Sequence, residues 1–202
     1  MEVKEKYNPD ETRSELLQAA FKEIYVHGFQ AASLNRILTN VNHTKGALYH
    51  HFSSKKKLGI SVIDEMIGIR MYSFFMAPLE ETDDPIPVLC DIFQRKADTL
   101  TLEEIKYGCP LNNLTQEMAS IDNDFNISLK KISNKWITTI TEALERGKKH
   151  KNVRSNIDSR GTALLIVASI EGAFGLGKTA ESEDFFRKCM EQLQSYVKSV
   201  SI

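Results

Sequence analysis

Residues 33–58, SLNRILTNVNHTKGALYHHFSSKKKL, constrain the fold more than any other stretch, because two capping hydroxyls bracket an asparagine turn within one short span. Ser33 predicts the N-cap of a first helix of about two turns, Leu34 to about Asn40, with Leu34, Ile37, Leu38 and Val41 at helical spacing. Asn42 supplies a left-handed turn residue at less steric cost than most side chains. Thr44 predicts the cap of a second short helix reaching about Phe52. In that helix Ala47, Leu48 and His51 fall on the inward side, leaving Thr44, Lys45, Gly46, Tyr49 and His50 outward.

Charge gives this pattern a function class. The chain has a formal net charge of −1, yet residues 24–63 hold Arg36, Lys45, Lys55, Lys56 and Lys57, no acidic residue, and four of the five histidines. Residues 1–23 and 64–202 are both net acidic. A basic head on a mildly acidic body can engage phosphate through the head alone. The small groups at the start of the second helix allow close approach to DNA. Lys45 and Tyr49 suit phosphate, and Thr44 and His50 can reach phosphate or base edges.

The segment from residue 12 to 58 resembles the N-terminal DNA-binding region of the TetR family of bacterial regulators. The likeness rests on a leading amphipathic helix, the turn Gly28-Phe29, Ser33 opening the next helix, and TKGALYHHFSSKKKL. It implies an all-α, TetR-like fold: a three-helix helix-turn-helix DNA-binding domain over 1–57 and a helical ligand-binding and dimerisation domain over 58–202. The DNA-binding set it implies is Ser33, Arg36, Thr44, Lys45, Gly46, Tyr49, His50 and Lys55, where Lys55 matches the family's usual phosphate-contacting lysine. Three features depart from the family pattern. His43 replaces a small aliphatic residue and Leu38 an alanine, both near the packing of the two helices, and Lys56 and Lys57 stand where glutamate is usual. Two cations in the first turn of a helix cost about 0.3–1 kcal/mol each, offset either by DNA phosphate or by screening in water.

Other classes are weaker. No phosphate loop, HExxH, carboxylate pair or Ser/His/Asp order stands out, and His50-His51 lack the i, i+4 spacing of helical metal ligands, so neither an enzyme nor a cofactor or metal is expected. Cys90, Cys109 and Cys189 form no CxxC and no disulfide framework. The charged start MEVKEKYNPDE and the lack of about 18 consecutive apolar residues point to a cytoplasmic protein with no membrane partner. A regulator that keeps the fold but acts through a protein partner is the rival reading, raised by Leu38 and His43.

Along the chain, Asn8-Pro9-Asp10-Glu11 opens the leading helix, whose stripe is Leu16, Leu17, Ala20, Phe21 and Ile24 and whose stop is Gly28. One regular helix is expected from Ser54 to near Pro78, then a polar loop over 78–87, a body resuming near Ile86 and a break near Gly108. YGCPLNNLTQEMA resembles a stretch of the regulatory domain in several TetR branches. A helix over 123–149 is predicted to bury Ile127, Ile132, Trp136, Ile140, Ala143 and Leu144, and two further helices occupy 158–178 and 183–200. The resemblance implies that the last two helices pair with a second subunit through Ala168, Gly172, Gly175, Phe186, Met190 and Leu193. It also implies a pocket for a small, mostly apolar effector, with Met71, Phe75, Phe93, Tyr107, Cys109, Met118, Phe125, Trp136 and Phe174 as candidate lining. Cys109 at a helix start has a further reading as a thiolate that senses electrophiles or redox change.

Overall fold

In the computed structural model, which describes residues 9–202, helix α1 (Pro9–Ala31), α2 (Leu34–Val41) and α3 (Lys45–His51) form the head. Pro9 stands at the first position of α1; the cap expected at Asn8 lies outside the described residues. Leu16, Leu17 and Ala20 of α1 are buried together with Ile37, Leu38, Leu48 and Phe52, so the three helices share one small core. Removing Leu48 from water alone is worth about 1.5–3 kcal/mol.

A bent rod joins head to body. It runs as α4 (Lys55–Ser61), a π-helical segment (Val62–Ile67), α5 (Gly68–Met71), a second π-helical segment (Tyr72–Met76) and a 3₁₀ turn (Ala77–Leu79). The single regular helix expected here is therefore interrupted twice. Each π segment widens the spiral where the rod meets something else: Glu65 in the first takes a bidentate hydrogen bond from Arg13 of α1, at 2.6 and 2.7 Å, and Phe75 in the second packs on Trp136.

The body follows as α6 (Pro85–Thr99), α7 (Leu102–Tyr107), α8 (Pro110–Met118), α9 (Asn123–Lys149), α10 (Ser159–Ala180) and α11 (Glu183–Ser199). The break before α7 is set by a capping box, Thr101 with Glu104. Along α9 the buried stripe is Phe125, Leu129, Ile132, Trp136, Ile140, Ala143 and Leu144; Ile127, expected on that side, is 59% exposed because it lies two positions, about 200°, from Phe125 and Leu129. Among the described residues there is no strand, only an isolated bridge between Val153 and Ser201 that ties the chain's end beside the α9–α10 turn. Helix α10 is long and apolar enough to cross a membrane by length and composition; here it packs between α9 and α11 with one face turned outward.

Head and body are stitched at one corner. Gly28 adopts φ +78°, open to glycine at little cost, and a Cβ there would fall 2.9 Å from the Glu117 carboxylate of α8. That carboxylate accepts the Phe29 and Gln30 N–H groups at 2.9 and 2.8 Å, which a helix end would otherwise leave unpaired. The Phe29 ring lies 4.5 Å from that of Phe125, and only a glycine at position 59 leaves room for the pair. Tyr25 Oη donates to the Gly108 carbonyl at 2.7 Å, closing the same corner from the other side.

Candidate nucleic-acid interface

Ser33 and Thr44 act as the two caps that the sequence predicts. Ser33 Oγ accepts the Arg36 N–H and Thr44 Oγ1 the Ala47 N–H, each worth about 1 kcal/mol to a helix this short. Asn42 takes the left-handed conformation, φ 53°, and its N–H closes α2 on the Leu38 carbonyl. The outward face is as expected: Thr44, Lys45, Gly46, Tyr49 and His50 are all exposed, Tyr49 by 50%, whereas Leu48 is fully buried. Nothing but the Thr44 hydroxyl comes within 4 Å of a Cβ placed on Gly46, so the chain itself makes no demand for glycine there.

Two of the three departures from the family pattern, Leu38 and His43, are accommodated by contacts within the head. Leu38 is buried in the head core, and His43 Nε2 pairs with Glu15 of α1 at 2.7 Å, tying the turn to the leading helix. His51, adjacent to His50 but turned inward, has a buried Nε2 without a hydrogen-bond partner, and burial, with the nearby His50 and Arg13, holds its pKa below the ordinary value.

Arg36 and Lys55 are engaged within the head. Arg36 Nε donates to Glu23 at 2.7 Å and its Nη2 to the Ala31 carbonyl at 3.0 Å, while the same Glu23 oxygen accepts the Ser33 N–H at 2.8 Å. Burial would push Glu23 up, but hydrogen bonds from Arg36 and Ser33, and the Arg36 charge, outweigh it and leave the carboxylate below its ordinary pKa. Lys55 Nζ donates to the Gln30 carbonyl at 3.0 Å and lies over the Phe29 ring. Lys56 pairs with Asp122 at 2.8 Å and Asp124 at 2.7 Å at the start of α9, so its charge is offset by the body, an arrangement neither sequence reading contained. Lys57 stays exposed.

Inside the body, Met71, Phe75, Cys109 and Phe174 of the nine pocket candidates line one cavity of about 470 Å³, under the bent rod and between α6, α8 and α10. Tyr107 opens instead onto a neighbouring cleft beside Gly28 and Glu117. Phe93, Met118, Phe125 and Trp136 line neither cavity and are packed in the core, Trp136 with its ring 4.8 Å from that of Phe75. Sequence reasoning missed the cavity's polar wall: Tyr25, Arg70, Lys96 and Glu104. Lys96 shares the helical phase of Leu89, Ile92 and Phe93, and a lysine on an apolar stripe is a readable signal.

Cys109 does not sit in a setting that favours the reactive thiolate raised by its place at a helix start. It is 4% exposed, and burial first, then the neighbouring Glu171, hold its thiol well above the ordinary pKa despite backbone N–H groups from α8. Its Sγ donates to Glu171 Oε1 at 3.3 Å; Glu171 Oε2 is buried without a partner, and burial raises that carboxyl to about 7.

Of the dimer candidates, Ala168, Gly172 and Gly175 are exposed on α10, and nothing lies within 4 Å of a Cβ placed on either glycine. Phe186 and Met190 face the chain's own core, at 0 and 1% exposure, while Leu193, 5% exposed, also borders the groove between α10 and α11 that Gly172 lines. The apolar residues beside the glycines are Leu164, Leu165 and Leu176, exposed by 45–60%.

Comparison with known proteins settles the family. Residues 85–192 match the model of the LmrA/YxaF-like transcriptional regulator C-terminal domain, and residues 16–61 that of bacterial regulatory proteins of the tetR family. The chain belongs to the TetR family. An HTH-type regulator encoded in the lacX 3′ region of Lactococcus lactis is 27% identical over 97% of this chain and 98% of its own. The HTH-type transcriptional regulator YxaF of Bacillus subtilis is 24% identical over 93% of this chain and 96% of its own. A TetR regulator from Chloroflexus aurantiacus has the same fold, with a TM-score of 0.81 at 24% identity over 96% and 97% of the two chains, as does reduced NemR of E. coli, at 0.79, 20%, 95% and 97%. This TetR-family chain is thus a transcriptional regulator whose head is a helix-turn-helix DNA-binding unit, in a family defined by regulation and not by catalysis.

Proposed function

We propose that the protein is a repressor that binds a palindromic operator as a homodimer and is released by a small, mostly apolar effector. The observation that carries this reading is the acid-free outer face of α3, where Thr44, Lys45, Gly46, Tyr49 and His50 stand exposed on a helix with both caps in place. Tyr49, Lys45 and Thr44 serve phosphate, and His50 reaches a base edge. Ser33 and Arg36 build the scaffold through Glu23, and Lys55, still a full cation while donating to the Gln30 carbonyl, adds a contact at the rim. The name of NemR, an E. coli repressor 22% identical over 72% of this chain, supports repression.

Two recognition helices must reach successive major grooves about 34–36 Å apart, which requires a second subunit. The outward face of α10 suits that role. Interior glycines cost about 1 kcal/mol each, and here Gly172 and Gly175 meet nothing within their own chain, flanked by exposed Leu164, Leu165 and Leu176. The same face accounts for the apolar character of α10 without a membrane, and the protein is read as cytoplasmic.

The effector occupies the 470 Å³ cavity, a size ordinary for small-molecule sites. Helix α8 connects it to the head: Cys109 and Pro110 line the cavity at one end, and Glu117 near the other holds the Gly28 corner. A ligand releases DNA to the extent that it prefers the conformation in which this corner has moved.

Binding to the DNA upstream of the protein's own gene, read by fluorescence anisotropy, tests the head. Tyr49→Ala weakens it tenfold or more while sedimentation still shows a dimer; a change of oligomeric state would show Tyr49 to be structural. Leu176→Asp, at a position 60% exposed, leaves the subunit folded and yields monomers with lost operator affinity. A dimer that survives this change would place the interface elsewhere.

A further inference from the structure

The polar wall of the inner cavity has a composition that selects among apolar ligands. Lys96 is almost buried, its side chain 11% exposed, and its ammonium donates to Glu104 Oε1 at 2.6 Å. The same ammonium stands 5.8 Å from the Phe74 ring centre and 5.6 Å from that of Phe174, both of which line the cavity. An ammonium has three N–H donors, and Glu104 is the one protein acceptor that Lys96 has among the described residues. Arg70 lines the cavity too, its guanidinium 4.2 Å over Phe21, with no carboxylate within ion-pair distance among the described residues. The lining therefore carries two cations, Lys96 within it and Arg70 at its exposed rim, against one carboxylate, in walls that include Phe21, Met71, Phe75 and Phe174.

We propose that the effector is an apolar carboxylate, whose acid group is held by Lys96 with Arg70 completing the charge and whose aromatic or branched body fills the cavity. This rests on the reading of the cavity as the effector site and gives that site its ligand class. Three features of the wall favour an anion over a neutral or cationic ligand. Lys96, its side chain 11% exposed, retains donors that a carboxylate can accept at the shielded end of a cavity that opens to solvent beside Ile69 and Arg70, and a charge-assisted hydrogen bond is strong at that end. Glu104 is already shared between Lys96 and the Thr101 cap, so it has little left to offer an incoming ammonium. The second acid nearby, Glu171, is turned to Cys109 and is not part of the lining. Discrimination follows from the same groups: a neutral amide of identical shape fills the apolar part but leaves the excess positive charge unanswered.

The test is calorimetric binding of 2-naphthoate, 2-naphthamide and 2-naphthylmethylamine to the full chain at pH 7.5. The expected order is acid first by at least tenfold over amide, with the amine weakest. Lys96→Met keeps the stem in the core and brings acid and amide to within about twofold. Lys96→Arg preserves the preference. Glu104→Gln retains the capping geometry but frees Lys96 from its competing carboxylate, so it tightens the acid severalfold and leaves the amide unchanged. A mere loss of packing could not produce that increase. Equal binding of acid and amide, or preference for the amine, overturns the ligand class while leaving the cavity as a ligand site. If none of the three binds, the effector-site reading falls and takes this inference with it.

Discussion

Two glutamates, one in each half of the molecule, meet opposite fates. Glu23 in the head is 6% exposed and gathers Arg36 and the Ser33 N–H on one oxygen, with His27 3.8 Å from the other, so it stays ionised below its ordinary pKa. Glu171 in the body has only a thiol donor on one oxygen and no partner on the other, and its pKa rises to about 7. In the head the buried carboxylate is answered by its own chain, although the inward His51 keeps one Nε2 without a partner, and the outer face of α3 is left exposed. The body leaves the Glu171 carboxyl incompletely satisfied, behind the Cys109 that lines the cavity. The two buried carboxyls thus differ in what answers their charge, cationic and backbone donors in one half and a single thiol in the other.

The comparison can be broken most forcefully at Glu171. Its folded pKa lies above the unfolded value, so its stabilising share is whole below about pH 4.5 and is lost as pH rises through about 7. Between those limits the loss is up to about 3 kcal/mol, at roughly 1.4 kcal/mol per pKa unit. Glu171→Gln should flatten the fall in thermal midpoint from pH 5 to pH 8 and raise stability at pH 8; an unchanged slope would mean that the carboxyl finds its own partner. Glu23 has the opposite sign. Its contribution is present above the unfolded carboxylate value and fades as pH falls through its lower folded pKa. Glu23→Gln should cost about 1–3 kcal/mol in urea unfolding at pH 7, and the difference from the parent should shrink on acidification. The smallest effect separates two neighbouring lysines. Lys57→Ala should lower the slope of log operator affinity against log salt by about 1, whereas Lys56→Ala, whose parent side chain is held by Asp122 and Asp124, should leave it unchanged. Equal slopes for both variants would return Lys56 to the phosphate contacts.

What could be read from the sequence was local. Ser33, Asn42 and Thr44 act on backbone groups within a few residues of themselves, and the structure finds all three in the roles expected. Gly28 was legible as a stop, but not its carboxylate partner, because Glu117 arrives from far along the chain. The capping box at Thr101 and Glu104 was present in the letters and still passed over, which cost the α6–α7 break. The two π segments had no sequence signal, since they answer to Arg13 and Trp136 across the fold. Within the cavity, large apolar side chains at helical spacing look alike whether they line space or fill it; Phe93 and Trp136 fill it, and Phe75 and Phe174 line it. On α11 the apolar stripe is legible but its direction is not: Phe186 and Met190 point into their own subunit, while Leu193 also borders the outward groove between α10 and α11.

Selection of bound duplexes from random-sequence DNA tests the central claim most directly. The account predicts enrichment of an inverted repeat whose half-site centres lie one helical turn or a whole number of turns apart, bound by the parent and lost in Tyr49→Ala. Recovery of no preferred sequence, or of a single unrepeated half-site, would contradict it.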